Sequence, residues 1–340
     1  MNEQMQLGTT VWYGDRPFEA AVRKLHSIGF DYFELALDYP LPGCMNAAAK
    51  ASLKALLRDL GMNVAFHAPL DIFVAQPRPE IFEASLKVML RSVEFAAAFE
   101  PLYFNFHTTF RVSTHFFKDV RERIKECGLA ACREIADACG SLGFPACVEN
   151  VFVPLEHADL LAEALNFENL WLTFDVGHAI LAETAHEKWS AAKKTTAAAT
   201  KTTNATTKTT AQRSVVATHA DAGSSAGELK EKALIYLESW LSRFGGKVLV
   251  VHLHDCATVS GGFERGVPSV DIRLQDHISL GRGELDIPEI LKMFGSCEYM
   301  LIETFWKDKH RLKEVSYEDL YENLTFVRYT LQKRAKLFCY

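Results

Sequence analysis

The stretch LWLTFDVGH, Leu170 to His178, decides the fold. Its first five residues form a short apolar run of strand type, which then ends in an acid, a glycine and a histidine. Asp175 and His178 are three residues apart, so a continuing strand would send them to opposite faces, roughly 10 Å apart along the chain. They converge if the chain turns at Val176-Gly177, where glycine relieves the backbone restriction. The stretch therefore reads as a strand end that delivers two polar groups to one place.

The same alternation runs the length of the chain. Short β-rich apolar runs at 6–12, 31–36, 63–67, 102–107, 145–150, 170–175, 247–254 and 298–304 are predicted strands. Helical patterns near 17–28, 46–60, 79–99, 116–140, 156–166, 228–244, 287–295 and 317–335 alternate with them. At 79–99 the residues Ile81, Phe82, Leu86, Met89, Leu90, Val93 and Ala97 repeat with a period near 3.6. Eight strand–helix units imply a parallel sheet covered on both faces, and eight is the number that closes a TIM barrel. An open doubly wound sheet is the competing architecture, but no GxGxxG follows the first strand to support its dinucleotide-binding form.

The chain of 340 residues is 49% hydrophobic and 24% charged, the balance of a soluble globular enzyme. A net charge of -6 provides no general attraction to nucleic acid or an anionic membrane. No run approaches the roughly 20 apolar residues of a membrane span. The opening MNEQMQLGTT lacks the basic region and apolar core of a signal peptide. Eight dispersed cysteines without CxxC spacing read as reduced, so the expected location is cytoplasmic. Cys147 and Cys297 are expected core fillers, and Cys256 is expected to be a small buried residue beside a possible site.

One segment breaks the pattern. Residues 184–227, including TTAAATKTTNATTKTTAQ, are rich in Thr, Ala and Lys with few large apolar groups. Such a composition buries too little surface to offset its ordering entropy, so a disordered low-complexity insertion after the sixth strand is expected. The remainder, roughly 300 residues, suits a single barrel domain across 1–340. Lys193, Lys194, Lys201, Lys208 and Arg213 read as solvated linker charges.

The functional argument rests on where the polar residues fall. The third strand ends in His67, the fourth in His107, the fifth in Glu149, and the sixth in Asp175 and His178. The seventh ends in His252 and His254, and the eighth in Glu303. A lone strand-end histidine is usually structural, but six successive strands with such ends are hard to ascribe to packing. In a barrel these ends share one face, where active sites sit. Mixed imidazole and carboxylate sets are ligands for Zn²⁺, Mn²⁺ and similar ions. Without a cation, Glu149, Asp175 and Glu303 would crowd like charges. Of the i, i+2 pair, His252 is the expected ligand and His254 a supporting or substrate-facing residue. In QDHISLGRGELD, 275–286, Gly281 and Gly283 mark a loop and Asp286 a helix N-cap, while His277 joins the candidate site.

These elements resemble the xylose isomerase-like TIM barrel superfamily, which includes endonuclease IV and many sugar and sugar-phosphate isomerases and epimerases. The matching elements are HAP at 67–69, His107, Glu149-Asn150, Asp175-Val-Gly-His178, His252-Leu-His-Asp255, His277-Ile-Ser-Leu-Gly-Arg-Gly283 and Glu303-Thr304. The resemblance spans nearly the whole chain except the insertion. Carried over, the isomerase pattern implies one Mn, Mg, Co or Zn ion on Glu149, Asp175, His252 and Glu303, with His178 facing substrate. It also implies that Glu149 and Glu303 exchange a proton with the carbon next to a metal-polarised carbonyl. Glu34, in YFELALD, is implied to contact substrate or to hold a structural hydrogen bond.

The endonuclease IV pattern implies up to three zinc ions. His67, His107 and Glu149 would serve one, the four-residue set the second, and His178, His277 and a further Asp the third. Eight of nine positions are filled, but the Asp expected two residues before His277 is Gln275; Asp276 or Asp271 could substitute. Isomerases of the superfamily also keep residues like His67, His107 and His277, so the set does not separate the reactions. The acid in APLDIF and the negative charge favour a small sugar-like substrate over DNA. The expected function is a metal-dependent sugar or sugar-phosphate isomerase or epimerase. The alternative is a multinuclear zinc phosphodiesterase acting on abasic DNA or a small nucleotide-like diester, and the third reading a non-catalytic sugar-binding barrel. His67, His107, His254 and Arg282 are candidate substrate contacts. Lys307 and Trp12 are weaker ones, with surface charge and packing as their plain alternatives.

Overall fold

In the computed structural model, residues 5–108, 113–115, 117–203, 226–259, 262–264, 267–269, 273–304, 306–308, 311–313 and 316–337 are described. Eight parallel strands close a barrel: β1 (Gln6–Val11), β2 (Tyr32–Ala36), β3 (Asn63–His67), β4 (Phe104–His107), β5 (Ala146–Glu149), β6 (Leu170–Asp175), β7 (Val248–Leu253) and β8 (Tyr299–Ile302). Each pairs with its sequence neighbour, and β8 returns to β1 through Gln6 opposite Tyr299. The open-sheet alternative is thereby excluded.

The covering helices are α1 (Phe18–Ile28), α2 (Ala47–Leu60), α3 (Pro79–Ala97), α4 (Lys118–Ser141), α5 (Asp159–Ala164), α6 (Val176–Thr203), α7 (Ala226–Phe244), α8 (Ile287–Met293) and α9 (Tyr317–Leu337). Their ends follow local chemistry. Asn46 caps α2 by accepting from the Ala49 N–H at 2.9 Å, and the left-handed Gly61 ends that helix. Asp286 caps α8, as its sequence indicates, by accepting from the Glu289 N–H. The main core lies between strands and helices, with Phe174 packed on Trp240 of α7 and on Phe294. Burying side chains of this size stabilises the fold by roughly 1.5–3 kcal/mol each.

The low-complexity insertion follows β6, and α6 runs into its first part as far as Thr203. The start of α6 is anchored by Glu183, whose Oε1 accepts from the Leu155 N–H at 2.6 Å and from Trp240 Nε1 at 3.1 Å. The alanines that follow favour helix. Residues 204–225, with Lys208 and Arg213, lie outside the described residues, as do Asp271 and the side chains of Lys193, Lys194, Lys201 and Lys307.

Three antiparallel pairings outside the barrel were not anticipated among the described residues. A ribbon after β7 pairs Asp255–Val259 with Arg273–Ile278, Gly262–Glu264 pairs with Val267–Ser269 between them, and Trp306–Asp308 pairs with Arg311–Lys313 after β8. The stretch QDHI, given no element from the sequence, is thus the end of a ribbon strand. Among the described residues, no helix is long and apolar enough to cross a membrane.

Candidate metal centre

Register brings the strand-end residues into one layer. His107 lies opposite Glu149 across β4 and β5, and Asp175 lies opposite His252 across β6 and β7. Glu149 is the hub. Its Oε2 lies 3.2 Å from His107 Nε2, 3.6 Å from His67 Nε2 and 3.5 Å from His252 Nδ1, while Oε1 lies 3.5 Å from His178 Nδ1. Asn105 Nδ2 donates to Oε2 at 2.7 Å and fixes the carboxylate. Glu303 Oε2 reaches His252 Nδ1 at 2.9 Å and His277 Nε2 at 3.7 Å.

Three sets of donors arise, each with ligand atoms within 4.8 Å of one another: His67, His107 and Glu149; Glu149, Asp175 and His252; Asp175, His178 and His277. His67 Nε2 and His107 Nε2 face each other at 3.2 Å, an orientation suited to two lone pairs aimed at a shared cation. Buried His178 Nδ1 and His252 Nδ1 make no hydrogen bond. Orphaned nitrogens beside carboxylates fit a divalent ion, whose donor set would be the mixed imidazole–carboxylate kind. A fourth set, Glu156, His157 and His186, lies apart from these and is more exposed.

The electrostatics follow from this crowding. Burial pushes the Glu149 carboxyl up, but His107 and His252 outweigh it and hold the group well below the usual carboxylate range. Glu303 behaves alike, with His252 and His277 overcoming burial. Asp175 is lowered because His178 and His254 outweigh its burial. Burial acts to lower His67, yet its bond to Glu149 and the charge of Glu34 raise it to about 9. His178 goes the other way, with burial outweighing Asp175 and Glu149.

The opening stretch works differently from its sequence reading. α6 begins directly at Val176, and Asp175 Oδ1 accepts the His178 N–H at 2.5 Å, as a helix-capping acid does. Gly177 has no left-handed backbone; its requirement is space, because a Cβ there would lie 1.9 Å from His254 Cε1. Asn150 clamps the end of β6, accepting from the Asp175 N–H at 2.7 Å and donating to its carbonyl at 3.0 Å.

His254 sits behind Asp175, with Nε2 3.2 Å from Oδ1, and its Nδ1 accepts the His277 N–H at 2.8 Å. That second bond leaves Nε2 as the protonated nitrogen, so His254 orients Asp175. His277 reaches the cluster because its backbone is left-handed (φ 56°), at a register shift between Gln275 and Ile278. A bulge re-aims a side chain in this way. Its ring stacks on His254 at 4.1 Å.

Asp276 Oδ1 lies 3.4 Å from His277 Nδ1, while Asp175 supplies the carboxylate of the third donor set in which Gln275 leaves a gap. Arg282 is exposed and pairs with Asp319 at 2.9 Å and Glu322 at 3.1 Å on α9, so it is not drawn into the cluster. Trp12 lines a cavity of about 280 Å³ with Thr9, Asp15, Ser316, Tyr317 and Thr304, the last next in sequence to Glu303.

Sequence reasoning passed over three contributors. Asn105 carried a signal, two residues before His107 on the same strand. Asp255 was quoted only as part of a motif, yet its carboxylate accepts from the N–H groups of Cys256, Gly281, Gly283 and Leu285 and so ties the His277 loop to β7. Gly283 is needed beside it, since a Cβ would lie 2.3 Å from Asp255 Oδ1. Phe152, left-handed (φ 49°) and half-exposed, stacks on His178 at 4.5 Å and had no sequence signal.

An eight-stranded barrel with imidazoles and carboxylates gathered at the carboxyl ends of its strands defines a (β/α)8 protein with a candidate metal site. The family model described as xylose isomerase-like TIM barrel matches residues 22–324, and the chain belongs to that family. Among solved structures, it is similar to a D-tagatose 3-epimerase-like protein, with 15% identity, TM-score 0.62, and 98% of this chain and 100% of that chain covered. D-psicose 3-epimerase from Clostridium cellulolyticum follows at 14% and TM-score 0.61, covering 96% and 99%. Endonuclease IV from Thermus thermophilus is 20% identical with TM-score 0.57, covering 96% and 99%. At these identities the likeness shows the fold. No curated protein matches the chain.

Proposed function

We propose that this chain is a divalent-metal-dependent isomerase or epimerase of a small sugar-like substrate. The observation that carries the reading is the convergence of Glu149 and Glu303, from β5 and β8, on Nδ1 of His252 at 3.5 and 2.9 Å. Two carboxylates on separate strands suit a two-base proton exchange. One accepts the proton from the carbon next to a carbonyl, and the other, carrying a proton, returns it. A cation held by Glu149, Asp175, His252 and Glu303 would polarise that carbonyl. His67, His107 and His178 would contact the hydroxyls, and Phe152, stacked on His178, would form an apolar wall.

A second reading is favoured by the two further donor sets. His67, His107 and Glu149 on one side, and Asp175, His178 and His277 on the other, would accommodate extra zinc ions for phosphodiester hydrolysis. Elemental analysis of purified protein, paired with assays on ketoses and on a generic phosphodiester, separates the two. About one Mn, Co or Mg per chain with isomerisation supports the first, as a mononuclear site requires. Two or three Zn per chain with diester hydrolysis sinks it, and nicking of abasic DNA narrows the second. Unchanged metal content in Glu149→Gln would remove the shared site from both.

A further inference from the structure

Beneath the metal cluster, Glu34 has no role in the chemistry above. It lies in β2, flanked in register by Thr10 and Ala65, and is fully buried. Neither of its carboxylate oxygens has a hydrogen-bond partner. Burying a carboxylate in this way is costly unless a partner compensates it. Tyr32 and Tyr103, two of the barrel-floor residues, bond each other at 3.2 Å. Two groups face Glu34: the Tyr103 side chain, and His252, whose Nε2 lies 3.7 Å from Oε2 while Nδ1 of the same ring points to Glu149 and Glu303. Both nitrogens of that ring also lack hydrogen bonds.

We propose that Glu34 is a positioning residue: its carboxylate receives the Nε2–H of His252 and so holds Nδ1, with its lone pair free, toward the metal cluster. A neutral imidazole has one donor and one acceptor nitrogen. If Nδ1 is the ligand, the proton sits on Nε2, where it meets Glu34. The 3.7 Å separation is a few tenths of an ångström beyond hydrogen-bonding range. A carboxylate behind a ligating histidine sets the tautomer and raises the ligand's basicity. The inference rests on the metal reading, and concerns a residue outside the four proposed ligands.

The test measures Mn²⁺ and Zn²⁺ affinity by calorimetry on metal-stripped wild type, Glu34→Gln and Glu34→Leu, with Tm recorded with and without metal. Glu34→Leu is expected to bind about 10- to 100-fold more weakly, the usual effect of losing such a partner. Glu34→Gln, which keeps an acceptor oxygen, loses less. Tm without metal stays near wild type in Glu34→Gln, which keeps the size of the side chain, while the rise in Tm on adding metal shrinks in both variants. Wild-type affinity in both variants overturns the proposal, most directly if Tm alone falls, since that marks a packing role. If Leu does not fold, the Gln variant decides by the same criteria. Wild type that binds neither ion overturns the metal reading and this inference together; wild type that binds, with affinity lost in Glu149→Gln but kept in both Glu34 variants, overturns this inference alone.

Discussion

Two layers inside the barrel, a few residues apart along the strands, satisfy their polar groups in different ways. On the floor, Tyr32, Tyr103 and Tyr299 pack edge to face or tilted at 5.5–6.0 Å, with Ala65, Cys147, Val250 and Leu301 around them. Their apolar rings fill the space, and the Tyr103 hydroxyl donates to that of Tyr32. At the mouth, side chains just as inaccessible to water are imidazoles and carboxylates, several without hydrogen bonds. The floor's polar groups satisfy one another, whereas the mouth holds the donor sets of a candidate metal site. Substitutions in the floor should therefore cost stability, and substitutions in the mouth should cost binding and turnover.

The largest effect belongs to the mouth. Glu149→Gln or Glu303→Gln should lower kcat by about 10²–10⁴, the usual worth of a positioned acid or base, with metal loss adding to it. Thermal unfolding of the metal-free protein should hardly move. A fall in metal-free stability as large as a core truncation would mean that the mouth is structural like the floor. The converse change is Tyr32→Ala, which should destabilise by about 3–5 kcal/mol in denaturant melts, as truncation of a large buried ring does. The metal affinity of the fraction that stays folded should be retained. Gly8 lies against this ring, where a Cβ would fall 2.4 Å from it.

Gly177→Ala probes the support behind the mouth. The new methyl meets the ring of His254, fully buried and pressed between Gly177 and the His277 backbone, so the ring must shift. Overpacking of this kind costs about 1–3 kcal/mol. Because His254 orients Asp175, metal affinity should fall as well. A loss of stability with affinity intact would show that Asp175 needs no support from His254.

The two layers were unequally legible in the sequence. Each strand stood within two residues of its expected ends, because apolar runs bounded by polar turns are a local signal. The ligand candidates were legible for the same reason: a strand that ends in His, Asp or Glu breaks an apolar pattern. What the sequence concealed depends on contacts between distant segments. The ribbon after β7 pairs segments separated by residues with little strand pattern, and its bulge at His277 is a property of two strands together. Asp255 gains its meaning from backbone groups about thirty residues later, at Gly281, Gly283 and Leu285. The role of Gly177 belongs with these: its spacing suggested a turn, and only the position of His254 shows that the missing Cβ matters.

The smallest expected effect lies outside both layers and measures the background for the rest. Asp286 caps α8 and its carboxylate also pairs with Lys230 at 2.8 Å. Lys230, with the helix N–H group, holds this carboxyl below its ordinary value. Lys230 is half-exposed and Asp286 only partly buried, so much of the pair's Coulomb energy is screened by solvent. Asp286→Ala should therefore cost about 1 kcal/mol of stability, the typical worth of an N-cap. The sign with pH follows from the lowered value: the contribution is present above the unfolded carboxyl's titration and is lost as pH falls through the folded one. Wild type and variant should converge in stability toward acid pH while metal affinity at neutral pH stays equal. Altered metal affinity in this variant would show that α8, which follows the His277 loop, transmits strain to the mouth, and the separation of the two layers would then need a third element.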